Sequence, residues 1–255
     1  VEFGIREFGM ASETLGLTVH GGLRAFCATY LVFSDYMRPS IRLAAIMHQP
    51  VIYDLTHDSI FVGEDGATHQ PVEHLASLRA MPNVQVIRPG DAEEVVSAWH
   101  TAMQSKDHPV VLSLTRQNVP VYAKDDKDWK QTIQKGAYIV QKGADTPDIT
   151  VIATGSEVSL ALDAAKLASG KKIRVVSMPD RETFDAQDEA FQKQILGAAK
   201  RVVVVEAGSK SGWEGFATSK RDLFTLNQFG VSGAGKAVAK ALGFTAEKLA
   251  ELLNA

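Results

Sequence analysis

Between Thr56 and Pro71 the chain crowds His57, Asp58, Glu64, Asp65 and His69 around Gly63 and Gly66, with Glu73 and His74 just beyond. Imidazoles and carboxylates at this density can ligate a metal, read the hydroxyls of a polar substrate or move a proton. Metal ligation is the poorest of the three. His69 and His74 are five residues apart and fall on different faces of a helix, where a helical zinc pair needs a spacing of about four. Recognition of a polar substrate fits better, because a short bulky run, Val51–Leu55, precedes the stretch and an apolar helical pattern, Pro71–Met81, follows it. His57, Asp65 and His69 then lie on a loop leaving the carboxyl end of a strand, where open α/β sheets bind ligands. The two glycines suit a tight turn that brings backbone close to a ligand. A hydrogen-bonded turn without a ligand is the plain structural alternative for His57 and Asp65.

Chemistry also attaches to residues elsewhere. Glu7 opens a helical stretch, where a carboxylate commonly serves as a cap; the functional alternative is a partly buried acid that exchanges a proton through a raised pKa. Phe26, Tyr30, Phe33 and Tyr36 are spaced by four, three and three residues, a pattern that fits a core stripe or a set of faces for stacking a flat ring. Arg116 follows the apolar strand Pro109–Thr115, and its planar fork suits a phosphate or carboxylate. In the second half, Gly230–Ala237 mimics a phosphate-binding loop but puts Ala237 where magnesium needs Ser or Thr, and Leu226–Phe229 is a poor buried strand. It reads as a turn and a helix start. Thr154–Glu157 reads as the cap of the helix that follows, through Thr154 or Ser156.

The elements that must position these groups alternate. A strand over Val1–Arg6, a helix over Met10–His20, a strand over Ala25–Thr29, a mostly helical stretch from Tyr30 to Met47 with Pro39 inside, and the strand Val51–Leu55 lead to the dense loop. After the helix from Pro71 come a strand at Asn83–Ile87, a helix from a capping-box-like Asp91–Glu94 to about Gln104, and the strand ending at Thr115. From Gln117 to about Gln134 the texture turns polar and charged. A second unit follows with strands at Ile149–Ala153, Ile173–Ser177 and Arg201–Val205, helices at Val158–Ser169 and Gln187–Ala199, Glu206 just beyond the third strand, and two amphipathic stretches at Gly235–Leu242 and Thr245–Leu253. The fold class this predicts is α/β, with two domains, each a mainly parallel sheet flanked by helices. The expected division is residues 1–122, a linker at 123–136, and residues 137–255.

The totals bound the partners. With 255 residues, 45% hydrophobic and 22% charged, the composition is that of a globular protein with sizeable cores. A net charge of −3 and pI near 6.2 offer no basic field for nucleic acid and no polybasic anchor for a membrane. One cysteine, Cys27, excludes an internal disulfide framework and points to a reducing compartment, so the cytoplasm is the expected location. All seven histidines fall in the first 108 residues, which places any chemistry in the first half. The second half reads as an assembly surface. A start at Val1, directly in a strand-like run, suggests a piece of something longer.

Arg6–Met10, Thr56–Ile60, Gly63–Pro71, Thr115–Asn118 and Ala153–Val158 resemble the motifs of the transketolase family, in order and at the expected separations. The resemblance covers essentially the whole chain and corresponds to the back part of that enzyme. It implies most of the pyrimidine-binding domain followed by the C-terminal domain, without the domain that grips the diphosphate and Mg2+ of thiamine diphosphate. The implied activity is a transferase of the pentose phosphate pathway that moves a two-carbon ketol unit between sugar phosphates in a cytoplasmic homodimer. By the same resemblance, Glu7 would hydrogen-bond the aminopyrimidine and promote loss of the thiazolium proton, and Phe33 would stack on that ring with Tyr30 and Tyr36 completing its pocket. His69 would contact donor hydroxyls and help proton transfer, Asp65 would read the C2 hydroxyl of the acceptor aldose, and His57 and Arg116 would hold the sugar phosphate.

Three places depart from the family pattern: Ala67 for a usual proline, Phe61-Val62 for a smaller pair, and Cys27-Ala28 for a common Gly-Gly. Bulk there is expected to narrow the substrate channel or shift the loop. Two alternatives stand beside transketolase. One is 1-deoxyxylulose-5-phosphate synthase, which shares an Asp-Gly-x-Thr-His loop, although Thr56–Ile60 and Thr115–Pro120 favour transketolase. The other is a non-catalytic dimerisation or assembly fragment, which the isolated chain would be if a separate chain supplies the diphosphate-binding domain.

Overall fold

Val51–Leu55 and Pro109–Thr115 are apolar at nearly every position, which suits strands covered on both faces. In the computed structural model, which describes all 255 residues, they form the centre of a four-stranded parallel sheet. Its elements in chain order are α1 (Glu7–His20), β1 (Phe26–Tyr30), α2 (Ser34–Ile46), β2 (Ile52–Thr56), α3 (His74–Arg79), β3 (Gln85–Ile87), α4 (Ala92–Gln104) and β4 (Val110–Ser113). The spatial order is β1-β2-β4-β3, all parallel. Met10, Leu15, Met37 and Ile41 of α1 and α2 pack on Tyr53 and Leu55 over one face, while Ala98 and Ala102 of α4 cover Ile52 and Leu112 on the other. The run Val1–Arg6, expected as a strand, is irregular and largely exposed. No neighbouring strand in this chain offers its hydrogen-bonding groups a ladder.

The connecting stretch holds the short helix α5 (Trp129–Thr132) and is tied down rather than loose. Lys124, nearly buried, donates to Asp91 (2.6 Å) and Glu93 (2.7 Å) of the α4 start, and Tyr122 donates to Glu94. The second unit comprises β5 (Tyr138–Gln141), β6 (Ile149–Ala153), α6 (Glu157–Leu167), β7 (Ile173–Ser177), α7 (Arg181–Asp185), α8 (Glu189–Leu196), β8 (Arg201–Glu206), β9 (Leu223–Thr225), α9 (Gly235–Ala241) and α10 (Ala246–Asn254). Its order is β5-β7-β6-β8-β9, with only β5 antiparallel. The edge strands β5 and β9 are short and half-buried, so neither shows the unbroken apolar run that marks the central strands. The helix expected over Gln187–Ala199 is α8, somewhat shorter at both ends, and a further short helix, α7, precedes it; their caps Asp188 and Asp180 accept from Phe191 and Thr183. No helix is long and apolar enough to cross a membrane.

A buried polar seam joins the two units. Arg88, fully buried at the end of β3, donates through Nε to Asp58 (2.8 Å) and through Nη1 to Thr154 Oγ1 (2.8 Å) and Glu157 of the second unit. Arg79 of α3 makes a two-pronged pair with Glu206 (2.8 and 2.9 Å), which also accepts from Trp213 Nε1 and Thr154 Oγ1. Burial opposes the charge on Glu206, but the Arg79 guanidinium and its hydrogen bonds, with Arg88 beyond, outweigh it and bring the carboxyl down to about 2. The Glu157 carboxyl goes the other way, pushed up by burial despite Arg88. Thr154 and Ser156 therefore do not cap α6: their hydroxyls are spent on Glu206 and Glu157.

Candidate functional site

Tyr30 and Thr56 end adjacent strands and face each other in register, so the chain beyond both leaves from one rim of the first sheet. Leu114 follows the same register on β4, its N–H bonding Leu55 O, and so delivers Arg116 to that rim. His57 turns the chain out of β2 with φ of 60°, a left-handed conformation that few non-glycine residues adopt and that costs about 1–3 kcal/mol. The turn lays its imidazole on Tyr30, centroids 3.6 Å apart and planes within 12°. Tyr30 in turn stacks near Phe33 (5.8 Å, 10°), Phe33 lies 6.2 Å from Tyr36, and His69 meets Phe33 edge-on at 5.4 Å. The aromatic spacing thus builds a connected set of faces rather than a core stripe; Phe26 is apart from it, edge-on to Trp99 of α4.

The polar groups of this rim keep their outer atoms unpaired within the chain. His57 and His69 each use Nδ1 on the preceding threonine hydroxyl, at 2.9 Å, which leaves Nε2 outward. The Asp65 carboxylate and the Arg116 guanidinium are exposed and have no hydrogen-bond or ion-pair partner in the chain. Burial lowers the His57 pKa, and the Arg116 charge lowers it further, against the opposing pull of Asp65 and Asp58. A neutral imidazole is favoured there.

Glu7 reaches the same end of the sheet through its helix. Ser12 and Ser40 share a hydrogen bond of 2.7 Å and lie five and six residues inside α1 and α2. α1 ends shortly before β1 begins and α2 begins shortly after β1 ends, so both run against β1 and, level at Ser12 and Ser40, start at the rim, α2 just past Phe33. Glu7 is half-buried in the first turn of α1, whose cap residue Arg6 makes no side-chain cap bond.

The other members of the dense loop go elsewhere. Asp58 is buried in the seam with Arg88. His74 pairs with Asp35 of α2 (3.2 Å), with Glu73 at 4.0 Å, so the three histidines do not gather on one metal position; the trio with ligand atoms close together is Asp35, Glu73 and His74. Phe61 packs on the second unit's core with Ile60, while Val62 and Cys27 are buried, so the bulk of these three side chains is taken up inside the fold, whereas Ala28 and Ala67 are exposed. Of the seam residues, Arg79 and Arg88 carry no signal that sequence reasoning used, Glu206 stands out only as lying beyond a strand, and Glu157 and the buried Gln70 only as members of longer segments. The available signal was their position: Arg88, Glu157 and Glu206 all stand at or just beyond strand ends.

Residues 1–121 match the family model of the transketolase pyrimidine binding domain, and residues 136–245 that of the transketolase-like TK C-terminal domain. A curated transketolase of Treponema pallidum is 55% identical over 252 residues, 98% of this chain and 38% of that protein. The solved transketolase of Leishmania mexicana superposes with a TM-score of 0.91 at 43% identity, over 98% of this chain and 36% of that one. A solved chain described as a split gene transketolase, inactive beta4 tetramer, shares the fold at a TM-score of 0.79 and 24% identity, over 98% of this chain and 82% of that one. The chain therefore spans under two fifths of the curated relative and belongs, by both of its domains, to the transketolase family.

Proposed function

We propose that these 255 residues form the pyrimidine side of a transketolase active site, which transfers a two-carbon ketol unit between sugar phosphates. The observation that carries this reading is the connected set of faces Tyr36, Phe33, Tyr30 and His57, rimmed by unpaired polar atoms of His57, Asp65, His69 and Arg116. Thiamine diphosphate fits this rim. Its aminopyrimidine is flat and offers a ring nitrogen, Phe33 presents a half-buried face, and Glu7 brings a carboxyl to the same end of the sheet. When bound, the cofactor supplies the nucleophilic carbon that carries the transferred unit.

The chain's own residues do the rest. Glu7 holds a proton at the aminopyrimidine nitrogen, and Phe33 with Tyr30 and Tyr36 fixes the plane of the ring. His69 Nε2 meets the donor hydroxyls and moves the proton there, and Asp65 accepts from the C2 hydroxyl of the acceptor. The neutral His57 and the charged fork of Arg116 hold the sugar phosphate. The diphosphate and its Mg2+ are held by a diphosphate-binding domain beyond these residues, whether in a longer chain, a separate subunit or the second protomer of a homodimer. Reconstituted with that domain, the chain is expected to transfer ketol units to ribose 5-phosphate. Condensation of pyruvate with glyceraldehyde 3-phosphate instead would assign it to 1-deoxyxylulose-5-phosphate synthase chemistry.

The likeness to the split-gene chain favours a second reading for these residues alone, an assembly fragment. Pure 255-residue material is then expected to bind thiamine diphosphate weakly and turn over nothing. Robust turnover by that material overturns this reading.

A further inference from the structure

The loop that carries His57, Asp65 and His69 has two sides. His57 and His69 meet the aromatic rim, whereas Ile60 is part of the second unit's core, with Phe61 and Val72 packed against it. Opposite that side runs the stretch Gly230–Gly235, the segment that mimics a phosphate-binding loop in sequence. Gln70, 2% exposed, donates from Nε2 both to Gly63 O (2.9 Å) within the loop and to Val231 O (3.0 Å) in that segment. Ser232 Oγ donates to Glu64 O. A Cβ on Gly66 would meet the Ser232 side chain at 3.3 Å, and a Cβ on Gly230 would fall 1.6 Å from Gln70 Oε1.

These contacts bracket Asp65 from both sides, through the carbonyls of Gly63 and Glu64 before it and the close approach at Gly66 after it. The loop has no ladder of its own in this stretch, only the backbone turn bonds Gly66 N to Gly63 O and His69 N to Gly66 O and a long bond from Thr68 Oγ1 to Asp65 O. Its shape therefore depends on the surface beneath it.

We propose that the second unit acts as a mould for the substrate loop, with Gln70, Gly230 and Ser232 as positioning residues that set the placement of Asp65 and His69 without touching substrate. The inference rests on the reading that this loop meets the acceptor sugar, and it gives the second unit a role in specificity beyond assembly. A displaced loop weakens acceptor binding through Asp65 and slows proton transfer through His69, but spares cofactor binding, because Glu7 and Phe33 stand on other elements.

The test separates the mould from the function. In the 255-residue chain, Gln70→Ala is expected to speed hydrogen exchange of the 63–69 amides about tenfold, the loss of roughly one to two net hydrogen bonds, with strand β2 and β4 amides unchanged. Ser232→Ala, at an exposed position, does the same more weakly and covers the case in which Gln70→Ala fails to fold. Gly230→Ala also loosens the loop, and combining it with Gln70→Ala gives no further acceleration, since the shortened side chain removes the clash. In the enzyme reconstituted with its diphosphate-binding domain, the same variants raise the acceptor KM about tenfold and, because His69 sits on the same loop, lower kcat as well, while the affinity for thiamine diphosphate, held through Glu7 and Phe33 on other elements, is unchanged. Unchanged loop exchange in both Gln70→Ala and Ser232→Ala, or additive effects in the double variant, overturns the mould. Faster exchange with an unchanged acceptor KM keeps the mould and refutes the placement of substrate on this loop.

Discussion

The two sheets use the same topological position in opposite ways. Beyond β1, β2 and β4 of the first sheet, His57, Asp65, His69 and Arg116 present atoms that nothing in the chain satisfies. At or beyond the ends of β6, β7 and β8 of the second, Thr154, Asp180 and Glu206 are buried, and each takes a partner from the first unit: Arg88 for Thr154, Gln85 for Asp180, Arg79 for Glu206. Strand ends in parallel sheets concentrate polar side chains and exposed backbone, which makes them ligand sites by default. Here one sheet leaves that resource open and the other spends it on docking its neighbour. A polar residue at a strand end is thus evidence of a binding role only when its partner lies outside the fold.

The contrast predicts that changes at the first rim alter kinetics without stability, and changes at the seam the reverse. The largest effect belongs to Glu7→Gln in the reconstituted enzyme, where kcat should fall about 10²–10⁴-fold, the range for removing a general acid–base group. The thermal midpoint should not move. Retained turnover takes Glu7 out of the mechanism.

At the seam, Arg88→Ala leaves Asp58 and Glu157 buried without their cation, a change that costs about 3–5 kcal/mol. A thermal midpoint lower by about 10 °C is expected by circular dichroism. Arg116→Ala, an exposed charge without a partner, serves as the control and should leave the midpoint where it is while raising the KM for phosphorylated sugars. Equal losses of stability in the two variants would erase the distinction between the rims.

The smallest effect sharpens the comparison by pH. The Glu206 carboxyl, at about 2 in the folded chain, ionises near 4.3 when unfolded, a difference of about 3 kcal/mol. Because the folded value is depressed, that stabilisation is complete above the unfolded pKa and is lost as pH falls through the folded one. The stability advantage of the native chain over Glu206→Gln, measured by urea unfolding, should therefore narrow by about this amount between about pH 5 and pH 2. A constant gap across that range means that Glu206 is not the acid-sensitive link.

Much of this was legible beforehand. Asp91 accepts from Glu94 N at 2.9 Å, as a capping box predicts, although the Glu94 carboxylate reaches Gly90 N rather than the cap residue itself. The central strands β2, β4, β6 and β8 are the runs that an unbroken apolar pattern marks. The edge strands β5 and β9 escaped because half-buried positions carry mixed residues, and Val1–Arg6 misled because β propensity without a partner strand makes no ladder. Of the rim, the loop from Thr56 to Pro71 declared itself by residue density. The division of labour within it did not.

Periodicity and strand-end position were enough to determine two parallel α/β units and a polar rim on the first, because both depend on neighbours close in sequence. Whether Asp58 faces ligand or seam, whether Phe61 faces a channel or a core, and what the segment from Gly230 is for were decided only in three dimensions. Each depends on a partner 30 or more residues away: Arg88 for Asp58, α9 for Phe61, and Gln70 for Val231, which is 161 residues distant in sequence. A side chain's own chemistry states what it can bind, but the chain path supplies the partner and settles how much of that capacity is left for anything else.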